Sequence, residues 1–133
     1  MRLDISELPF IASRAFLGGE VAWVEDDGSD AAVRFNPPEG ARNPNNTVQG
    51  GLAGALIDDV VSMATFFAGG GRPFVTTNLS CYFLKPIPME ATLLARSTLV
   101  KSGRTQALFE ATLSVEGDET ILVKASQMQQ YLS

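Results

Sequence analysis

Residues 51–67, GLAGALIDDVVSMATFF, are apolar on nearly every side of a helical projection. Such a segment predicts a buried helix, here about 25 Å long and able to cross a small domain. The residues ahead of it, 43–49, are polar apart from Pro44 and Val48 and run into the pair Gly50-Gly51, so a loop feeds directly into the helix. A shorter helix is predicted over residues 6–17, where Leu8, Ile11, Ala12, Ala15 and Phe16 recur at helical spacing. Ser6 would cap it, Pro9 is tolerable in its first turn, and Gly18-Gly19 ends it.

The remaining pattern is that of strands. Residues 20–25 and 31–36 flank a polar Asp26-Asp27-Gly28-Ser29 turn and predict a hairpin. Residues 74–84 alternate, with Val75, Thr77, Leu79, Cys81 and Phe83 forming the expected apolar face. Residues 92–101, 105–115 and 120–131 predict three more strands, joined by turns at Lys101-Ser102-Gly103-Arg104 and Glu116-Gly117-Asp118. Two strands, one long apolar helix and four further strands make an α+β protein, an antiparallel sheet with the helix covering one face. The other face carries Leu94, Leu108 and Ile121 among polar residues and is expected to be partly covered by a partner subunit.

Length and charge narrow the picture. A chain of 133 residues predicts a single domain, 1–133, whose first 18 residues are an N-terminal helical segment. The net charge of −5 argues against nucleic acid as a partner. The opening MRLDISELPF has acids and no apolar signal core, and no uninterrupted apolar run reaches about 18 residues. A cytoplasmic protein without a membrane partner is the expectation. Cys81 is the one cysteine, which fits a reducing compartment and reads as packing. The sequence holds no histidine, which removes Ser–His and Cys–His nucleophile pairs and the common zinc sites, so no metal is expected.

Acid–base chemistry near neutral pH then falls to carboxylates, Lys, Tyr, Cys or activated water. Two adjacent carboxylates, Asp58 and Asp59, interrupt the central apolar run past its first turn. They point about 100° apart on a helix, so at most one need be deeply buried. Asp58 shares a face with Gly51 and Gly54. The helix start offers unpaired N–H groups that glycine lets a ligand approach. Gly51 and Asp58, however, are separated by about 10 Å along the axis, too far to act on one reacting atom within a chain. If the two cooperate, a second copy must bring them together in a two-fold dimer with shared sites.

Asn43, then Gln49-Gly50-Gly51, then Leu56-Ile57-Asp58, then a Val-Thr-Thr strand and Lys85-Pro86, resembles the hotdog-fold acyl-CoA thioesterases of the phenylacetate-degradation type. Those proteins carry Asn, His-Gly-Gly and Asp at matching spacings, and the resemblance covers roughly residues 20–132. It implies a hotdog fold, an antiparallel sheet wrapped around one long central helix. It also implies a homodimer with sites at the interface, often a homotetramer. The implied reaction is hydrolysis of an acyl-CoA thioester to the free acid and coenzyme A, with no cofactor beyond the coenzyme A of the substrate.

The same resemblance implies roles. Asp58 would be general base or nucleophile, and Gly50 would offer its N–H to the thioester carbonyl, with Gly51 and Thr77 as residues that bind the substrate or its coenzyme A. Asn43 would position the water or the substrate, and Thr76, with Thr77 next to it, would supply a hydroxyl near the carboxylate. Gln49 stands where the family has histidine; its amide can donate or accept but carries no proton through neutral pH. Lys85, Lys101 and Arg104, with Arg72 a further candidate, are the cations for coenzyme A phosphates. Each residue also has an ordinary structural reading: a carboxylate capping a loop or pairing with arginine, a tight glycine junction, an Asx turn at Asn43, strand threonines, solvated hairpin tips. The rival functions are a hotdog hydratase or dehydratase acting on acyl-CoA or acyl-carrier thioesters, which relies on histidine, and a non-catalytic dimer that binds acyl thioesters or another apolar ligand.

Overall fold

In the computed structural model, which describes residues 1–132, six strands form one antiparallel sheet. They are β1 (Gly19–Val24), β2 (Asp30–Phe35), β3 (Phe74–Phe83), β4 (Leu93–Ser102), β5 (Gln106–Val115) and β6 (Val123–Tyr131), in the spatial order β1-β2-β4-β5-β6-β3. Helix α1 (Ala12–Phe16) is one short turn, and helix α2 (Gly50–Ala68) is the long central one. The sheet wraps α2, which touches β2 through β6.

The register of α2 against the sheet follows from its aliphatic positions. Ala53, Leu56, Ile57, Val60, Val61 and Ala64 are buried and recur every three or four residues, one stripe on one side of the helix. That stripe meets the inward residues of the strands, among them Val33, Phe35, Leu93, Ala95, Phe109 and Leu113, in one continuous core. By length and composition α2 could cross a membrane; here it is the core helix of a sheet. The β1–β2 turn packs onto its far end so closely that a Cβ on Gly28, already at φ +70°, would lie 2.2 Å from the Ala64 carbonyl oxygen.

Two sequence expectations are corrected. The continuous helix over residues 6–17 is instead a 3-10 turn (Ile5–Glu7), an extended stretch and the short α1. Leu8 sits at φ −75°, ψ 145° because it precedes Pro9, whose ring excludes helical backbone from the residue before it. The cap is Asp4, whose carboxylate accepts the Ser6 N–H at 3.0 Å. The second correction concerns the single apolar face of β3. Opposite β6 the register slips between Thr76 and Asn78, leaving Thr77 as an extra, bulged residue. Phe74 and Thr76 therefore face α2 before the bulge, and Leu79, Cys81 and Phe83 face it afterwards.

The N-terminal segment is tied to α2 by a buried ion pair. Arg14 Nε donates to Asp59 Oδ2 at 2.7 Å, with the two side chains 11% and 8% exposed. Burial pushes the Asp59 carboxyl up from its ordinary range, and the Arg14 hydrogen bond and charge oppose that rise. Replacing Arg14 with methionine leaves burial unopposed, so the folded state holds the Asp59 proton more tightly than the unfolded chain does. The contribution of Asp59 to stability is then fully present below the unfolded carboxylate pKa of about 4 and is lost as pH rises through the higher folded value. In urea unfolding, Arg14→Met is expected to lose about 3 kcal/mol at neutral pH and to regain part of it toward about pH 5. The double variant Arg14→Met/Asp59→Leu is expected within about 1 kcal/mol of the parent, because an apolar pair needs no such compensation.

Candidate active site

The loop before α2 is held by its own side chains. Asn43 Oδ1 accepts from the backbone N–H groups of Asn45 and Thr47, each at 3.0 Å, and Asn43 Nδ2 donates to Thr47 Oγ1 at 2.9 Å. The Asn43 amide thus folds residues 43–47 into a closed Asx-type turn. Gln49 follows as the N-cap at φ −57°, ψ 133°, with its side chain exposed and its carbonyl accepting from Leu52 and Ala53 N–H. Among the described residues nothing accepts from the N–H groups of Gly50 and Gly51, the unpaired donors expected at a helix start.

Two turns further on, Asp58 is half-buried at the junction of two recesses. One is an open groove between the first half of α2 and β3, lined by Gly50, Gly51, Gly54, Leu79, Cys81 and Phe83 as well as Asp58. The other is a cavity of about 420 Å³, within the range that holds a small ligand. Its walls are Leu8, Ile11 and Leu17 of the N-terminal segment, Met63, Phe66 and Phe67 of α2, and Phe74 of β3, with Asp58, Asp59 and Arg14 as its charged residues. One carboxylate therefore borders both a glycine-lined groove and an aromatic-rich chamber.

The hydrogen bonds on Asp58 all fall on one oxygen. Gln127 Nε2 donates to Oδ1 at 2.6 Å, while the hydroxyls of Thr76 and Ser62 lie at a long 3.4 Å from the same atom. Gln127 Nε2 also donates to Thr76 Oγ1 at 3.0 Å. Among the described residues no donor reaches Oδ2. That oxygen is left for a proton, a water or an electrophile, the arrangement a general base or a nucleophile requires.

The structure brings Asp58, Gly50 and Gly51 to one groove, sets the Thr76 hydroxyl beside Asp58, and leaves the other candidates around them. Thr77 sits in the bulge, its hydroxyl donating to the Met128 carbonyl at 3.3 Å. Lys85 shares a recess with Gly50 and Phe83. Arg104 and Lys101 belong to the β4–β5 end, where Arg72 binds both the Gly69 carbonyl at the end of α2 and the Arg104 carbonyl. Along α2 that end is about 28 Å from the glycine pair. Cys81 lines the groove half-buried, and burial raises its thiol above the ordinary range, away from thiolate reactivity.

Sequence reasoning missed Gln127 and Gln129. Both are buried on the inward face of β6, in the alternation Val123, Ala125, Gln127, Gln129, Tyr131. Gln129 Nε2 donates to Thr65 Oγ1 at 3.0 Å and Tyr131 Oη to the Thr65 carbonyl at 3.1 Å. Their phase with the core residues Val123, Ala125 and Tyr131 is the one hint in the sequence, and the polar Ser126 and Gln130 on the opposite phase blur it.

The thioesterase superfamily model matches residues 45–122, more than half of the chain, from the loop before the glycine pair through β5. Human acyl-coenzyme A thioesterase 13 is 22% identical over 96 residues, 72% of this chain and 69% of that protein. Among solved structures, the PaaI protein from the phenylacetic acid degradation operon of E. coli superposes with a TM-score of 0.83 at 16% identity, covering 92% of this chain and 86% of that one. A phenylacetic acid degradation-related protein of Ralstonia eutropha gives 0.79 at 28% identity, covering 93% and 92%. Sheet order, wrapped helix and these superpositions agree on the hotdog fold, and the chain belongs to the thioesterase superfamily.

Proposed function

We propose that this protein hydrolyses acyl-CoA thioesters, with Asp58 as the base or nucleophile and the Gly50 N–H of a second copy as the donor that polarises the carbonyl. The observation that carries the reading is Asp58 itself: a carboxylate with Oδ2 unengaged, standing where the apolar cavity meets the glycine-lined groove. The acyl group would occupy the cavity and the pantetheine arm the groove, which places the thioester beside Asp58.

In the general-base form, Asp58 takes a proton from water as the water attacks the carbonyl carbon. The negative charge that builds on the carbonyl oxygen is met by the Gly50 N–H, a preorganised donor at a helix start. Collapse of the tetrahedral intermediate expels the coenzyme A sulfur, and the proton held by Asp58 returns to it. A thiol leaves readily at its ordinary pKa of about 8.5, so no strong acid is required on that side. Lys85, which shares a recess with Gly50, would meet the phosphates of the coenzyme.

A second copy enters because β3 ends the sheet. Its outer edge is ten residues long and exposes Val75, Leu79 and Phe83, an edge that invites pairing. Antiparallel pairing of β3 with its symmetry mate would place the α2 start of one copy near the Asp58 groove of the other. Light scattering is expected to report two or four chains per particle; a monomer removes the shared site.

Activity is expected in a panel of acyl-CoAs read by a thiol-trapping dye. Asp58→Ala should cut turnover by at least about a hundredfold with the oligomer unchanged. Ligand binding without turnover across the panel would favour a binding module, the reading that Gln49 in the histidine position keeps open.

Gly50→Pro removes the donor with little other disturbance, since proline suits the first helical position and Gln49 already has the extended backbone that proline demands of its neighbour. It should lower kcat by roughly a hundredfold to a thousandfold. Re-annealing Asp58→Ala with Gly50→Pro should then restore about one quarter of parental activity through heterodimers holding one intact site. No recovery would place both groups in the same chain's site.

A further inference from the structure

Gln127 is buried to 1% exposure among core residues, and among the described residues its Oε1 has no hydrogen-bond partner. An orphaned buried carbonyl is a cost that an apolar residue at this position would avoid. The compensating feature lies on the other half of the amide. The Nε2 group has two hydrogens, and both are engaged, one by Asp58 Oδ1 at 2.6 Å and one by Thr76 Oγ1 at 3.0 Å. The reverse amide orientation would set Oε1 against Asp58 Oδ1 at that same 2.6 Å, two acceptors face to face. The amide therefore has one workable orientation.

We propose that Gln127 is the positioning residue of the site. From β6 it clamps Asp58 on α2 and Thr76 on β3, holding Oδ1 so that Oδ2 faces the groove. Because Thr76 Oγ1 accepts from Gln127, its own hydrogen is turned away from the amide, toward Asp58 or a water in the groove. Gln127 stands on β6, outside residues 45–122, the span that matches the superfamily model. The charged groups closest to Asp58 along the cavity wall, Asp59 and Arg14, are paired with each other, and Cys81 faces the same groove from β3. Among the described residues, the groups that hold Asp58 are thus all neutral.

The kinetic side of this inference rests on the thioesterase reading; its structural side does not. Gln127→Leu fills the site without a donor. Its crystal structure should show the Asp58 side chain moved off its present position, and an unmoved Asp58 overturns the inference whatever the protein catalyses. With an acyl-CoA that the parent hydrolyses, Gln127→Leu should lower kcat about tenfold to a hundredfold, with KM changed less than about twofold. Undiminished kcat, or a loss confined to KM, also overturns it.

Gln127→Glu keeps the volume and is the second probe should the leucine variant fold poorly. Two carboxyls at this separation share one proton, and the introduced group donates to Asp58 only while it holds that proton. Its activity should fall as pH rises through the range where the pair loses the proton, a fall the parent lacks. A residue serving only as filling would leave the shape of the pH profile unchanged. A parent inactive on every acyl-CoA would overturn the hydrolase reading separately, with the crystallographic arm still deciding the clamp.

Discussion

A helix that carries acids and hydroxyls into the middle of a sheet has to find a partner for each of them, and this requirement sets the arrangement around α2. A buried polar group without a partner costs on the order of 1–3 kcal/mol, and an unpaired buried charge costs more. Asp59 meets Arg14, Thr65 meets Gln129 and Tyr131, and Asp58 meets Gln127. The aliphatic stripe of α2 meanwhile faces the apolar residues of β2, β4 and β5. Only one rotational setting of the helix satisfies both sets. A one-residue slip of β6 would turn Ser126, Met128 and Gln130 inward and Gln127 out, losing the whole polar line at once.

The bulge at Thr77 belongs to the same solution. A regular β3 with Leu79, Cys81 and Phe83 facing the helix would also turn Thr77 and Val75 inward, and Thr76 outward. One extra residue reverses the phase of the first half of the strand. Phe74 then closes the apolar cavity and Thr76 comes to the Asp58–Gln127 pair. A local irregularity in the ladder thus brings a hydroxyl and an aromatic ring to the carboxylate, while the distal half of β3 keeps its apolar residues on the groove.

The sequence announced the parts governed by local periodicity. The helix at 51–67, the first hairpin and the three later strands stand within a few residues of where alternation and turn residues placed them, because each is a long run with punctuation at both ends. What stayed illegible was governed by contacts distant in the chain. The N-terminal segment has helical spacing, but the backbone restriction imposed by Pro9 outweighs it and docking through Arg14 decides its path. The bulge leaves no mark, since Thr76 and Thr77 are equally at home on either face of a strand. Gln127 sits in Ser126-Gln127-Met128-Gln129-Gln130, where polar side chains occupy both phases, and only the facing Asp58 tells which glutamine matters. The candidate site was therefore legible in its acid, its glycines and its threonine, and not in the amide that joins the acid to the threonine.

The two neighbouring acids of α2 show how one helix separates structure from chemistry. Asp59 is given a cation and is neutralised by it, and its task is to dock the N-terminal segment that walls the cavity. A cation at the same distance from Asp58 would hold it equally well, but would draw off the charge that a base or nucleophile needs. An amide and two hydroxyls hold the carboxylate by hydrogen bonds and leave its formal charge in place. In a chain with no histidine, where the proposed reaction has no imidazole to move its protons, that distinction matters more. The demand on Asp58 is met by what surrounds it: neutral donors on one oxygen, none among the described residues on the other, and the site's buried arginine already engaged one residue away.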